Sequence, residues 1–341
     1  MMGPYKNKKQ KDRKNIEGRG VYINTEQQFL KGIKGAKEGK EKVKEIISTL
    51  SENKLNFVLP LMNSRGKVYY NGKLGQSYTR EWDPLEEIVK EAHKNDMEVH
   101  PWFCAFEEGG EKAKQNPNIV LVKKDGSLIN ALDPGNPEAR NYMINLIMEA
   151  VKNYDIDGIN LDYVRYPRED IICYCAHCRS NFKKKYGVDL ADLSDNNPML
   201  ARWDRYREEQ TTTFVKDLRQ RVRAEKPYLE ISLYHWMPYS DARIWPQWIK
   251  NGYLDWVNPT GYKYTFREFR LQCRRVLDII NGVCPAYITI GVKTSHGELT
   301  SVNEIIEQVK IAREEGADGI VFFTSQALMP FLKDLSKEVF V

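Results

Sequence analysis

DGINLDYVRYP, residues 157–167, is the stretch on which the fold turns. Asp157 and Gly158 make a turn signal, and Ile159, Asn160 and Leu161 form a short run that ends on a carboxylate, Asp162. Alternating apolar and small residues between turn signals read as an inner strand. A charged group at the strand's C-terminal tip is costly for packing, because a buried carboxylate without a partner pays for its desolvation. It is natural for chemistry, since parallel barrels carry their sites at the C-terminal ends of strands. The bland alternative is that Asp162 only pairs with Arg165 to hold the next loop.

Working outward, strand-like runs alternate with amphipathic helical ones. The strands are expected at 20–24, 56–61, 98–103, the central stretch, 230–233, 256–260, 286–291 and 319–323. The helices between them are expected at about 41–50, from Asp83-Pro84, from Asn136-Pro137, and at 198–225, 244–251, 266–280, from Ser301 and at 328–335. Asp83 and Asn136, each before Pro, and Ser301 with Glu304 are N-terminal capping signals. Eight strand–helix units without a linker predict an α/β chain, a (β/α)8 TIM barrel forming a single domain over 19–341. A doubly wound open sheet would be expected to show GxGxxG after an early strand, and neither that nor a Walker pattern is present.

Composition bounds the function. The net charge of +5 comes from residues 1–20, with seven Lys/Arg and two Asp/Glu; the rest holds 45 charges of each sign. A neutral body argues against a nucleic-acid partner, which needs a basic face. No apolar run approaches a membrane span. Residues 1–18 read as a basic disordered tail without the apolar core of a signal peptide. The chain as written would be cytoplasmic, or extracytoplasmic if a leader has been removed. Oligomeric state is not legible.

Residues after the strands converge on one face of a barrel, and here they are an aromatic and charged set. His100 and Trp102 belong to the third strand, with Glu107 and Glu108 beyond it; Asp162, Tyr163 and Arg165 follow the fourth. His235 and Trp236 follow the fifth and Tyr262 the sixth, while the loop after the second adds Arg65, Tyr69, Tyr70, Tyr78 and Trp82. Aromatic faces with polar edges suit the C–H face and hydroxyl rim of a sugar, so the expected partner is an oligo- or polysaccharide. Taken singly, each such ring is as well explained as a core anchor. Glycoside hydrolysis needs two carboxylates. Asp162 is the expected nucleophile or base, oriented by Arg165, and Glu107 or Glu108 the acid. His100, Trp102, Tyr163, His235, Trp236 and Tyr262 are the expected sugar lining. Asp133 is expected to fix the turn before the third helix, Asp157 to be structural, and Glu298 is a more distant candidate. A non-catalytic carbohydrate-binding barrel is the alternative, as the second carboxylate is not unique.

Cys173, Cys175 and Cys178 form CYCAHC with His177. A structural zinc and ordinary thiols or a loop disulfide are both open, since no second CxxC completes a ligand set. No cofactor is expected for the chemistry, and with five His and no GxSxG a Ser/His/Asp mechanism has little support.

RGVYIN at 19–24, WDPLEEIVKEAHKNDMEVHPWF at 82–103, LDPGNPEARNYM at 132–143, DGINLDYVRYP, LDWVNPTGY at 254–262 and GADGIVFFTSQAL at 316–328 together resemble the glycosyl-hydrolase-like 10 proteins. The resemblance runs from about Gly20 to Leu328. It implies a TIM barrel, action on bacterial or similar polysaccharides, and Asp162 as the leading catalytic carboxylate. Some members are similar to enzymes that cut peptidoglycan strands, and many are exported. Many also carry an acidic residue directly after the strand-four Asp, where this chain has Tyr163, which leaves the partner carboxylate open.

Overall fold

A computed structural model describes residues 16–79, 81–107, 110–168, 170–235 and 244–340. Eight parallel strands follow one another around a barrel: β1 Gly18–Ile23, β2 Phe57–Ser64, β3 Trp102–Cys104, β4 Gly158–Asp162, β5 Glu230–His235, β6 Trp256–Pro259, β7 Tyr287–Gly291 and β8 Gly319–Phe323. Their hydrogen-bonded order is β6-β5-β4-β3-β2-β1-β8-β7. Parallel bridges from Val257 to Ala286 and from Thr260 to Thr289 bring β6 against β7 and close the circle. Around it lie α1 Gly35–Glu52, α2 Pro84–Lys94, α3 Pro137–Asn153, α4 Ala176–Tyr186, α5 Ala201–Glu225, α6 Trp245–Lys250, α7 Phe266–Ile280, α8 Val302–Glu314 and α9 Ser325–Val339. Among the described residues no helix is long and apolar enough to cross a membrane.

The helices begin where side chains satisfy the free N–H groups of the first turn. Asp83 accepts from the N–H groups of Leu85 and Glu86, and Asn136 from that of Glu138. Ser301 and Glu304 form a reciprocal capping box for α8. Ser301→Ala is therefore expected to cost about 1 kcal/mol, read as a small downward shift of the denaturation midpoint. Helix α1 is longer than its apolar core of Val43, Ile46, Ile47 and Leu50 indicates, and α9 extends to both sides of the expected 328–335.

Two features go beyond the expected units. Before α3 a hairpin pairs Val120–Val122 with Leu128–Leu132. After β4 the chain leaves the barrel to form α4. Together these build a second small core of Leu121, Tyr166, Phe182, Leu190, Trp203 and Tyr206 around the three cysteines.

Inward-facing positions of the strands fill the barrel in levels. The floor, at the N-terminal ends, is Phe57, His100, Trp256 and Tyr287, with ring centroids 4.9–5.8 Å apart. Glycines make room for these rings: a Cβ on Gly20 would stand 2.1 Å from the Phe57 ring, and one on Gly158 2.2 Å from His100 Nδ1. Above them is a polar girdle. Tyr22 Oη donates to Asn160 Oδ1 at 2.8 Å and accepts from Asn258 Nδ2 at 2.5 Å. Asn160 Nδ2 in turn donates to Ser232 Oγ and Asn258 Oδ1. The C-terminal level is the candidate site.

Candidate active site

Asp162 is the last residue of β4 and is 4 % exposed. Its two oxygens are held separately: Oδ1 accepts the Tyr163 backbone N–H at 2.7 Å and Oδ2 the Trp102 indole N–H at 3.1 Å. Tyr163 delivers that N–H from the left-handed region, at φ +52, which a bulky residue rarely adopts. Such strain collects at functional sites. Burial dominates the carboxyl and pushes it up to about 7, against the opposing pull of Tyr163 N–H, Arg165 and Trp102; the negative Glu107 pushes it further up. Asp162 thus titrates near neutrality, where an acid–base catalyst works best.

Glu107 is the second carboxylate within electrostatic reach. The thiol of Cys104, the last residue of β3, is buried, feels both carboxylates and hydrogen-bonds Glu107. Ser64 Oγ, at the end of β2, donates to Glu107 Oε2 at 3.1 Å. The two acids therefore flank the C-terminal ends of β3 and β4. Arg165 stacks over the Tyr163 ring at 4.9 Å, and its charge bears on both Asp162 and His235. His235 is buried against Trp245, and burial first, then Arg165, hold its imidazole down at about 3. It is neutral throughout the physiological range.

Aromatic rings surround the acids. Tyr22 meets Trp102 at 4.8 Å, Tyr234 at 5.3 Å and Phe323 at 5.5 Å between centroids. Phe323 also lies against Trp102 and Tyr262, and Tyr234 and Tyr262 join through their hydroxyls. Tyr22, Trp102 and Tyr234 are buried beside the carboxyl, and Tyr163, Tyr262 and Phe323 are the half-buried rings at this end.

Asp162, Trp102, Tyr163, Arg165, Tyr262 and Glu107 come together at this end, with His235 behind them. His100 does not. It sits on the floor beside Gly158 and is fully buried, one inward position below Trp102 on a strand whose backbone bonds continue from His100 N–H to Val58 O and from Asn160 N–H to Pro101 O. Glu108 and Trp236 lie outside the described residues. Tyr69, Tyr70 and Trp82 are buried anchors of their loop: Tyr70 donates to Leu146 O, and Trp82 fills the space over Gly39 of α1. Glu298 pairs with Lys293 on an exposed hairpin. Asp157 accepts from Val99 N–H and meets His93 at the opposite end of the barrel. Tyr22 and Phe323 escape the sequence reading, although both occupy inward positions at the ends of β1 and β8. The cysteines and Asp133 make a separate buried group in the small second core.

The glycosyl hydrolase-like 10 profile matches residues 17–293. The chain belongs to that family. Glycosyl hydrolase YngK of Bacillus subtilis is 23% identical over 303 residues, covering 76% of this chain and 56% of that protein. Glycosyl hydrolase DigH of Escherichia coli K12 is 23% identical over 232 residues, covering 56% and 48%. The chain thus spans about half the length of the curated relatives it matches. Among solved structures, the glycoside hydrolase domain of PgaB (BpsB) from Bordetella bronchiseptica aligns with TM-score 0.73 at 13% identity, covering 94% of this chain and 98% of that one. A β-galactosidase from Bacillus circulans aligns with TM-score 0.67 at 13% identity, covering 94% and 55%. These likenesses confirm the TIM barrel, and Asp162 lies at the C-terminal end of one of its strands.

Proposed function

We propose that this chain is a glycoside hydrolase acting on a polysaccharide, with Asp162 transferring the proton and Glu107 as the second carboxylate. The observation that carries it is a buried carboxyl at the end of β4, held at about 7, beside a second acid and packed among aromatic rings. Glycoside hydrolysis divides the roles of acid and of base or nucleophile between two carboxylates. Asp162 takes the proton role in either direction: as acid toward the leaving oxygen, or as base toward water. Glu107, less buried, is the carboxylate left to stabilise or attack the developing oxocarbenium. Trp102, Tyr163 and Tyr262 supply the faces against which sugar rings pack, and Arg165 limits how far Asp162 rises. Bacterial cell-wall glycan is the substrate class we favour, because the family includes members similar to enzymes that cut peptidoglycan strands.

The test is product release from a panel of glycans that includes peptidoglycan strands stripped of peptide. Glycan bound without any turnover would select the alternative, a carbohydrate-binding barrel. Glu107→Gln separates the two acids. It is expected to lower kcat at least about 100-fold and to shift the Asp162 limb of the pH–rate profile to lower pH, because the charge that raises Asp162 is gone. An unmoved limb would mean that the acids do not sense each other.

A further inference from the structure

Asp133, Cys173, Cys175 and Cys178 each offer one ligand atom; all four residues are buried, and the atoms lie within 4.8 Å of one another. The three Sγ atoms stand 3.2, 3.3 and 3.3 Å from the same oxygen, Asp133 Oδ2. A carboxylate oxygen has two lone pairs and does not serve three thiol donors at once. The spacing is close to that of a coordination tetrahedron. Bonds of about 2.3 Å to sulfur and about 2.0 Å to a carboxylate oxygen put the two ligand atoms about 3.5 Å apart.

The surroundings are built for that arrangement. Asp133 Oδ1 accepts the Gly135 N–H at 2.8 Å, which turns Oδ2 toward the sulfurs. An outer partner that fixes a ligand's orientation is usual at metal sites. Cys178 N–H donates to Cys175 Sγ at 3.3 Å, a bond that favours charge on that sulfur. Gly135 cannot be larger, since a Cβ would stand 2.5 Å from Cys178 Sγ and 3.2 Å from Tyr166 Oη. That tyrosine hydroxyl is buried with no hydrogen-bond partner among the described residues, and a thiolate beside it would accept a hydrogen bond from it.

The geometry points to a tetrahedral metal site of three thiolates and one carboxylate, made for zinc. Soft sulfur ligands in a tetrahedron select zinc over the oxygen-loving cations. Four protein ligands leave no open position, so the site is structural rather than catalytic. Each cysteine that binds releases its thiol proton, so binding weakens as pH falls. The ion would join Asp133, at the turn before α3, to the segment that follows β4 and to Cys175 at the N-cap of α4. It would close the small second core and brace the loop that leaves Asp162.

The test uses the whole chain, produced in zinc-supplemented medium and purified under reductant without chelator. Metal analysis is expected to find about one zinc per chain, with X-ray absorption showing about three sulfurs at about 2.3 Å and one lighter ligand. Cobalt substitution is expected to give the intense visible bands of a tetrahedral thiolate site. Cys175→Ser and Asp133→Ala are expected to lose most of the metal, whereas Asp133→Cys keeps it; if the first two fail to fold, Asp133→Cys and the wild type still decide. Chelation of the folded wild type is expected to lower its Tm by several degrees. Wild-type protein that carries no divalent metal, or a disulfide among these three cysteines in the reduced preparation, overturns the proposal.

Discussion

Asp162→Asn will lower glycan turnover about 10²–10⁴-fold and, at pH 8, make the protein more stable. The two effects have one cause. Burial holds the Asp162 carboxyl at about 7 in the fold, against about 3.9 in an unfolded chain. Between those values the folded protein keeps a proton that the unfolded chain has lost. The resulting stability is full below about pH 4 and is lost as pH rises through 7. At about 1.4 kcal/mol per pH unit, crossing that gap costs about 4 kcal/mol. Asparagine cannot ionise, so the variant does not incur that loss. Its amide nitrogen cannot accept an N–H as a carboxylate oxygen does, which returns about 1 kcal/mol. Urea unfolding is expected to show a gain of about 2–3 kcal/mol at pH 8 and little change at pH 5. A variant with normal turnover would return Asp162 to holding its loop. One with the wild-type pH slope of stability would show that Asp162 is ionised throughout.

Trp256→Ala is the largest expected loss of stability, about 3–5 kcal/mol. Its ring is 2 % exposed, packs on Phe57, His100 and Tyr287, and donates from Nε1 to Glu230 Oε2 at 2.8 Å. The cavity would open at the floor, under the polar girdle and away from Asp162. Against a total stability of about 5–15 kcal/mol, the denaturation midpoint should fall steeply. Turnover per folded molecule should hold, because a barrel's N-terminal face carries stability and its C-terminal face chemistry. A matching fall in kcat at temperatures well below the midpoint would show that the floor shapes the site.

How far the sequence leads depends on where the signal lies. Strands β4, β6, β7 and β8 show short apolar runs bounded by Gly or Pro, and they stand within a residue or two of the expected places. Asp162 is legible because packing alone gives little reason for a charge at the tip of an inner strand. Helix α4 is not: in AHCRSNFKKKY only Cys178 and Phe182 are buried, too few to make a stripe. His100 misleads because only alternate residues of a strand face inward, each a level above the last, so His100 falls on the floor while Trp102, two residues on, reaches Asp162. Asp133 reads as a turn residue, and its Oδ1 does hold the turn; its Oδ2 meets cysteines 40–45 residues later, a juxtaposition that no local spacing shows. Tyr22 and Phe323 look like ordinary strand aromatics until the ends of β1 and β8 are set beside β4.

The girdle of Tyr22, Asn160, Ser232 and Asn258 bears on how the chain reaches its native state. Tyr22 bonds to partners 138 and 236 residues away, so its hydroxyl is fully satisfied only when the first, fourth and sixth strands stand around one axis. An arc of strands β1 to β4 would leave Asn160 and Tyr22 half paired in a forming apolar interior, and buried polar groups left half satisfied are penalised more than they are rewarded. Partial barrels are thus disfavoured as resting states. Contacts of such long sequence separation also slow the search, so the chain is expected to fold late and cooperatively, with strand closure as the committing step.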